Sequence, residues 1–439
     1  MSSTLNVWMN GEHVAAWTVD RGSHSLTYTD SWLESERVRS LSLSLPITSS
    51  REIRGVNVAN YFDNLLPDNP QIRQRLSARF GTRSTKAFDL LTAIGRDCVG
   101  AVQLLPEEAT PVGWNRIDST KMSNEEIADL LRSIPSPALG DSDDELFRIS
   151  VAGAQEKTAL LQLNGKWMAP HGATPTTHIL KLPLGLIGGS RRVDAFDSVQ
   201  NEWLCAQIVR ALGLPVANTS MARFHDQHVL VVERFDREWM AGGKWIARLP
   251  QEDFCQALGF SPDQKYERDG GPGMESCLRL VSGSEDGATD LTVFLLAQFA
   301  YWLMAATDGH AKNYSIFLNR GDRYGMTPLY DVLSMWPYFG NTSNRFRMQS
   351  AGLAMAIRSK NAHYKLASIQ ARHWHSLAMK HGGGASWHAM LELKEHVGSA
   401  LDKVERALPK DFPVRTWQTI SDGMRFQVNR FNSELSTID

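Results

Sequence analysis

The 439 residues are too many for one ordinary core, and 46 basic against 48 acidic residues leave a formal net charge of −2. That balance removes any global argument for a nucleic-acid or anionic-membrane binder and leaves only a local basic patch open. Cys98, Cys205, Cys255 and Cys277 stand far apart with no C-x-x-C spacing, which fits reduced thiols better than disulfides or a zinc site. The opening Met1-Ser2-Ser3-Thr4 has no charged segment followed by an apolar one, so a cytoplasmic protein is expected.

Residues 1–110 read as a small α+β interaction subdomain. Residues 5–9 and 13–17 flank Asn10-Gly11, the pair preferred by a tight hairpin, and residues 41–45 alternate Leu and Ser like a half-buried strand stopped by Pro46. Residues 58–66, 71–80 and 88–94 carry helical patterns, and Asp63, Asp68 and Asp89 read as turn and cap residues. Residues 111–144, polar with a short helix at 125–133, read as a linker.

Residues 145–236 read as a nucleotide-binding lobe. Ala152, Gly153, Ala154, Gln155, Glu156 and Lys157 form a small-residue loop between two strand-like runs, where backbone N–H groups can approach phosphates and Lys157 can add charge. The same pattern also suits an ordinary hairpin turn. Lys181 lies within the apolar strand 178–182 and needs a partner there: nucleotide phosphates, a helix carboxylate, or water at an exposed edge. The strand 229–232 runs out into Glu233, Arg234 and Phe235, where a kinase hinge would offer hydrogen bonds to adenine beside an aromatic ring.

Residues 237–439 read as a mainly helical lobe. Residues 248–253 suit a helix cap for 254–258, and 265–273 read as a surface loop. The apolar run 291–304, with Asp290 as candidate N-cap, would deliver Asp308 into a loop; 316–318 and 324–330 would then form a hairpin ending on Asp331. In a phosphotransfer site of this order Asp308 is the base, while Asn313 and Asp331 hold Mg²⁺ against the nucleotide phosphates. Beyond residue 338 the chain reads as helices at 366–380, 387–408 and 414–435, anchored by Trp374, Trp387 and Trp417.

Together, F-R-I-S-V-A-G-A-Q-E-K, T-P-T-T-H-I-L-K-L-P, V-E-R-F-D, R-L-P-Q-E-D and A-T-D-G-H-A-K-N resemble the motifs, in order, of the HipA family of serine/threonine kinases, the toxin halves of bacterial toxin–antitoxin pairs. W-M-N-G, L-S-L-S-L-P and F-D-N-L-L-P-D resemble its amino-terminal subdomain. The resemblance implies a bilobal α+β protein-kinase-like fold using ATP and Mg²⁺. It adds His310, Ala311, Lys312 and Tyr330 to the nucleotide pocket and makes Ser150 an autophosphorylation site. It also implies a HipB-like helix-turn-helix antitoxin as partner, operator DNA contacted mainly through that antitoxin, and glutamyl-tRNA synthetase as the type of protein substrate. A small-molecule kinase of the aminoglycoside type, or a catalytically silent partner of a repressor, stays open at this point.

Overall fold

The computed structural model describes residues 2–135 and 155–436. The chain is α+β and divides into two compact units: Met1–Leu182 with Ala222–Gln264 and Ser315–Tyr324, and Pro183–Met221 with Lys265–Tyr314 and Gly325–Asp439. The division is not the single cut near residue 236 that the sequence suggests. Residues beyond it return to the first unit because Gln251–Asp253 pairs antiparallel with Ser315–Leu318. Among the described residues no helix is long and apolar enough to cross a membrane.

The first unit begins with antiparallel strands in the order Glu52–Arg54, Ser23–Tyr28, Glu12–Asp20, Ser3–Met9, Val102–Pro106. Asn10 and Gly11 turn the first hairpin with φ 45° and 85°, the left-handed pair that a two-residue connection requires. Trp17 is the core anchor, stacked on Phe62 at 3.9 Å and met edge-on by Phe88 at 4.9 Å. Residues 41–45 are a tight turn rather than the expected strand. The hydroxyl of Tyr28 donates to Leu45 O (2.6 Å) and accepts from Leu41 N–H (2.7 Å), closing the Leu/Ser alternation on itself.

A second sheet runs Thr219–Phe224, Gln227–Glu233, His178–Lys181, Lys157–Leu163, Lys166–Pro170, Ser119–Lys121. Much of the expected linker is therefore part of the lobe. Ser119–Lys121 is an edge strand on Lys166–Pro170, and the helix Asn124–Ser133, opened by a Ser123/Glu126 capping box, buries Ile127, Ala128 and Leu131 in a core with Leu160, Leu180 and Val229.

The N-terminal subdomain is tied to this sheet by a buried ionic cluster. Arg234 donates to both oxygens of Asp236 (3.0 and 2.8 Å), to Asp97 (3.3 Å), to Thr176 Oγ1 (2.9 Å) and to Cys98 O (2.9 Å). Arg237 and Arg248 each donate to Asp97 Oδ1 at 3.0 Å. Burial alone would push the Asp97 carboxyl up, but Arg237, Arg248 and Arg234 outweigh it and hold the group well below the usual carboxylate range. With three guanidiniums sharing two carboxylates, burial and the neighbouring Arg234 bring Arg237 down to about 10.

Glu252 is the opposite case. Burial pushes its carboxyl up to about 8, against the pull of the Leu43 N–H at 2.9 Å, and its Oε2 has no hydrogen-bond partner among the described residues. Asp253, Tyr28 and Tyr61 are the other titratable groups coupled to it.

In the second unit the helix Gly287–Met304 is buried along most of its length. Phe299 and Trp302 pack with Trp374 of Ala371–His381 and Phe431 of Val414–Leu435, at ring separations of 5.2 to 6.1 Å. Asp290 is not the N-cap: the helix starts three residues earlier, and the Asp290 carboxylate accepts from Met326 N–H at 2.9 Å. The C-terminal helices form as expected, with Gly383–Arg406 between the two just named, but a hairpin of Gly352–Arg358 and Ala362–Lys365 precedes them. Its Gly-Leu-Ala-Met-Ala-Ile run is rich in helix formers, and pairing overrides that preference. The helix Ser198–Ala211 follows a short strand, Val193–Ala195, that pairs with Gly185–Ile187. All four cysteines are buried free thiols.

Two stability measurements follow from the buried charges. Asp97→Ala leaves three buried guanidiniums with one carboxylate and should cost about 3–5 kcal/mol in urea unfolding; a loss within experimental error would show that the cluster is not structural. Glu252 binds its proton more tightly folded than unfolded, so its contribution is full below the ordinary carboxylate range and falls as pH rises towards about 8. Glu252→Gln should flatten that fall, by on the order of 1–3 kcal/mol between pH 5 and pH 8; an unchanged pH profile would contradict it.

Candidate active site

The site grows from the C-terminal end of Gly287–Met304. A helix end leaves its last carbonyls without intrahelical donors, and buried ones must be met elsewhere. Here Ala305 turns left-handed at φ 50°, and Ala306 N–H returns to Tyr301 O at 2.8 Å. The next carbonyls go to a distant segment: Leu303 O accepts from Trp336 Nε1 (3.1 Å), Met304 O from Ser334 Oγ (2.6 Å) and Ala305 O from Met335 N–H (3.0 Å). One helix end therefore holds both the loop that carries Asp308 and the segment that follows Asp331.

The loop closes on its own backbone. His310 N–H donates to Asp308 O (2.7 Å), Asn313 N–H to His310 O (2.9 Å), and Asn313 Nδ2 to Asp308 O (2.8 Å). Gly309 packs so closely on Tyr301 that a Cβ there would lie 2.8 Å from its ring, which explains a residue without a side chain after Asp308. Asp308 itself is 63 % exposed. His310, Lys312 and Asn313 are buried, and Ala311 N–H donates to Lys265 O at 3.3 Å.

Asp331 arrives differently from the expected hairpin. The returning strand is only Tyr324–Met326; from there the chain is held at Leu329, which bridges Val216 through Leu329 N–H to Pro215 O (2.9 Å) and Ala217 N–H to Leu329 O (2.8 Å). Tyr330 Oη then donates to Lys312 O at 3.0 Å, placing its neighbour Asp331 beside the Asp308 loop. Asp331 is exposed and adopts φ 59°, a left-handed conformation that Asp tolerates better than most side chains. Asn201 secures the far side: its Nδ2 donates to Ser334 O (2.8 Å) and its Oδ1 accepts from Ser334 N–H (3.0 Å), fully buried.

The residues fit a hard divalent cation. Asn313 spends its Nδ2 on Asp308 O, so Oδ1 is the atom left to coordinate, and Asp331 adds an exposed carboxylate; oxygen donors of this kind suit Mg²⁺.

The other expected nucleotide residues belong to the first unit. Ser150, Ala152, Gly153 and Ala154 lie outside the described residues. Gln155 and Glu156 run beside Leu182, whose carbonyl accepts from Gln155 Nε2 and whose N–H donates to Glu156 O at 3.1 Å. The Glu156 carboxylate is paired with Arg75, so its side chain serves the subdomain rather than a phosphate. Lys157 and Lys181 stand opposite each other in register on adjacent strands, and Lys181 is buried. Paired positions share a face, so the two lysines lie on one side of the sheet. At the expected hinge Glu233 is exposed and Phe235 meets Phe317 edge-on at 5.9 Å. Arg234 corrects the reading: its guanidinium is spent inside the ionic cluster and its N–H donates to Thr177 O at 2.9 Å, so it is a structural residue.

Sequence reasoning missed three contributors. Asn201 and Ser334 carry no local signal, since their role exists only once two distant segments meet. Tyr266 was hidden in the presumed surface loop 265–273, yet its hydroxyl donates to Asp308 Oδ1 at 2.6 Å and its ring stands edge-on to His310 at 5.0 Å. That loop is anchored by Glu267, which accepts from Ala356 N–H at 2.6 Å and pairs with Arg358.

A helix-delivered Asp loop, an Asn five residues on and a second Asp stapled beside it define a kinase-type phosphotransfer architecture. The family models described as HipA N-terminal domain and HipA-like C-terminal domain match residues 5–105 and 149–411, and the chain belongs to the HipA family. It is 34 % identical, over 87 % of its length and 86 % of the relative's, to a Sinorhizobium fredii protein provisionally named kinase Y4mE. It is 30 % identical, over 75 % of its length and 72 % of the relative's, to the serine/threonine-protein kinase toxin HipA of Shewanella oneidensis. The fold matches HipA in the Shewanella oneidensis complex of HipA, HipB and operator DNA with a TM-score of 0.80 at 23 % identity, covering 99 % of each chain.

Removing the Asn201 side chain orphans both backbone groups of buried Ser334. Asn201→Ala should cost roughly 2–4 kcal/mol, read by thermal unfolding; an unchanged melting temperature would show that these two hydrogen bonds carry no weight.

Proposed function

We propose that this chain is an ATP- and Mg²⁺-dependent serine/threonine kinase acting as the toxin of a toxin–antitoxin pair. The observation that carries the reading is the Tyr330–Lys312 hydrogen bond, which sets the Asp331 segment against the loop bearing Asp308 and Asn313. Asp308, accessible to a macromolecular acceptor, takes the proton of the attacking hydroxyl. Asn313 Oδ1 and the Asp331 carboxylate would hold Mg²⁺, which when bound neutralises charge on the nucleotide phosphates. Lys157, Lys181, Glu233 and Phe235, in the first unit, are the further nucleotide contacts that the family resemblance implies.

The remaining parts of the reading rest on family membership. The partner is a HipB-type antitoxin, the relation named for the Shewanella oneidensis complex, which also contains operator DNA and so supports joint transcriptional autoregulation. Ser150 is the autophosphorylation site; a phosphate there adds about −1.5 to −2 charges beside the loop that approaches ATP, which switches the enzyme off. The protein substrate is a translation component of the glutamyl-tRNA synthetase type, so phosphorylation arrests growth.

The test is intact-mass analysis with site mapping after incubation with Mg-ATP. Wild type should gain one phosphate at Ser150, Asp308→Ala none, and Asn313→Ala should bind ATP at least tenfold more weakly when Mg²⁺ is present. Absence of both phosphate and ATP binding would remove the kinase reading and leave a silent repressor partner.

A further inference from the structure

Asp308 is an exposed carboxylate at the tip of a loop, a position where water alone could satisfy both oxygens. Instead one oxygen is claimed: Tyr266 Oη donates to Oδ1 at 2.6 Å. The other, Oδ2, lies 3.9 Å from His310 Nε2, beyond a hydrogen bond, and keeps its accepting capacity. The tyrosine is itself held in place. Its carbonyl accepts from Asp269 N–H (3.0 Å) and Gly271 N–H (3.1 Å), the residue before it is bonded to Ala311, and the residue after it is locked to Ala356 and Arg358. The ring against His310 fixes the direction from which the hydroxyl approaches. A tyrosine anchored on both sides and aimed at one oxygen of a solvent-facing carboxylate restricts the rotation of that carboxylate.

We propose that Tyr266 is a positioning residue for phosphoryl transfer: by holding Oδ1 of Asp308 it selects Oδ2 as the oxygen that meets the acceptor hydroxyl. This rests on the reading of Asp308 as the base. In the step, the acceptor O–H proton passes to Oδ2 and the acceptor oxygen bonds to the γ-phosphorus of ATP. The bond from that phosphorus to the β–γ bridging oxygen breaks, and ADP leaves with the electron pair. Tyr266 keeps its own proton throughout and acts only through Asp308. Misplacement of a base by about 1 Å can cost up to roughly a hundredfold in rate, so loss of the hydroxyl should be felt in the rate constant and not in nucleotide affinity.

The test compares full-length wild type, Tyr266→Phe and Asp308→Ala in a single turnover with Mg-ATP, following ADP release, with ATP Kd by calorimetry and Tm recorded for each. The expected result is a fall of roughly ten- to a hundredfold in the Tyr266→Phe transfer rate with Kd and Tm unchanged. A Tyr266→Phe rate within twofold of wild type, with Asp308→Ala inactive, overturns the Tyr266 role alone. A fall in rate accompanied by a matching rise in Kd and a lowered Tm also overturns it, since that is the mark of a merely structural residue. No transfer by wild type, or transfer undiminished in Asp308→Ala, overturns the reading of Asp308 and the role of Tyr266 with it.

Discussion

The end of a buried helix is the constraint on which the second unit turns. The peptide groups that terminate Gly287–Met304 are out of reach of water, so each carbonyl needs a donor from elsewhere in the fold. Ser334, Met335 and Trp336 supply them, and in doing so they fix where the chain runs immediately after Asp331. The same helix end, by reversing at Ala305, fixes where the chain runs immediately before Asp308. Two acidic side chains more than twenty positions apart are thus positioned by a requirement of backbone hydrogen bonding, and Asn201 and Tyr330 tighten the result.

The first unit answers a different physical demand. Asp97, Asp236 and their three arginines are enclosed, and burial of charge is tolerated because nearly every oxygen and nitrogen of the cluster is bonded. Its members come from the N-terminal subdomain, from the strand end at 234–237 and from Arg248, so the cluster specifies how these segments meet. This accounts for the V-E-R-F-D and R-L-P-Q-E-D stretches in structural terms: Arg234 and Asp236 hold the subdomain, Asp253 caps Phe254–Leu258 with Gln256 in a capping box, and Glu252 receives the turn at 41–45. Motif residues that stand out in a sequence divide here into those that face chemistry and those that keep the scaffold together.

Local patterns were legible where local physics decides. Asn10-Gly11 announced its hairpin, the 414–435 periodicity its helix, and the Asp308/Asn313 spacing its loop, because φ preference, amphipathic period and short-range hydrogen bonds act within a few residues. The 41–45 alternation misled, since a Leu/Ser repeat serves a tight turn as well as a strand when Tyr28 takes both ends. The hairpin at Gly352–Arg358, for which no pattern was read, shows the converse, its helix-forming residues being overruled by pairing.

What the sequence by itself determined is the family and those local elements, such as the first hairpin and the last helix, whose signals reside in short contiguous stretches. Only the tertiary structure decided that Arg234 is a scaffold residue, that Glu156 answers Arg75, that Asn201 holds Ser334 and that Tyr266 reaches Asp308. Each of these joins positions from about 40 to over 130 residues apart, and the residue types involved are as common on surfaces as in sites. Nothing in their neighbourhoods along the chain distinguishes them, because the hydrogen bonds and ion pairs that give them their roles exist only after folding brings distant segments together.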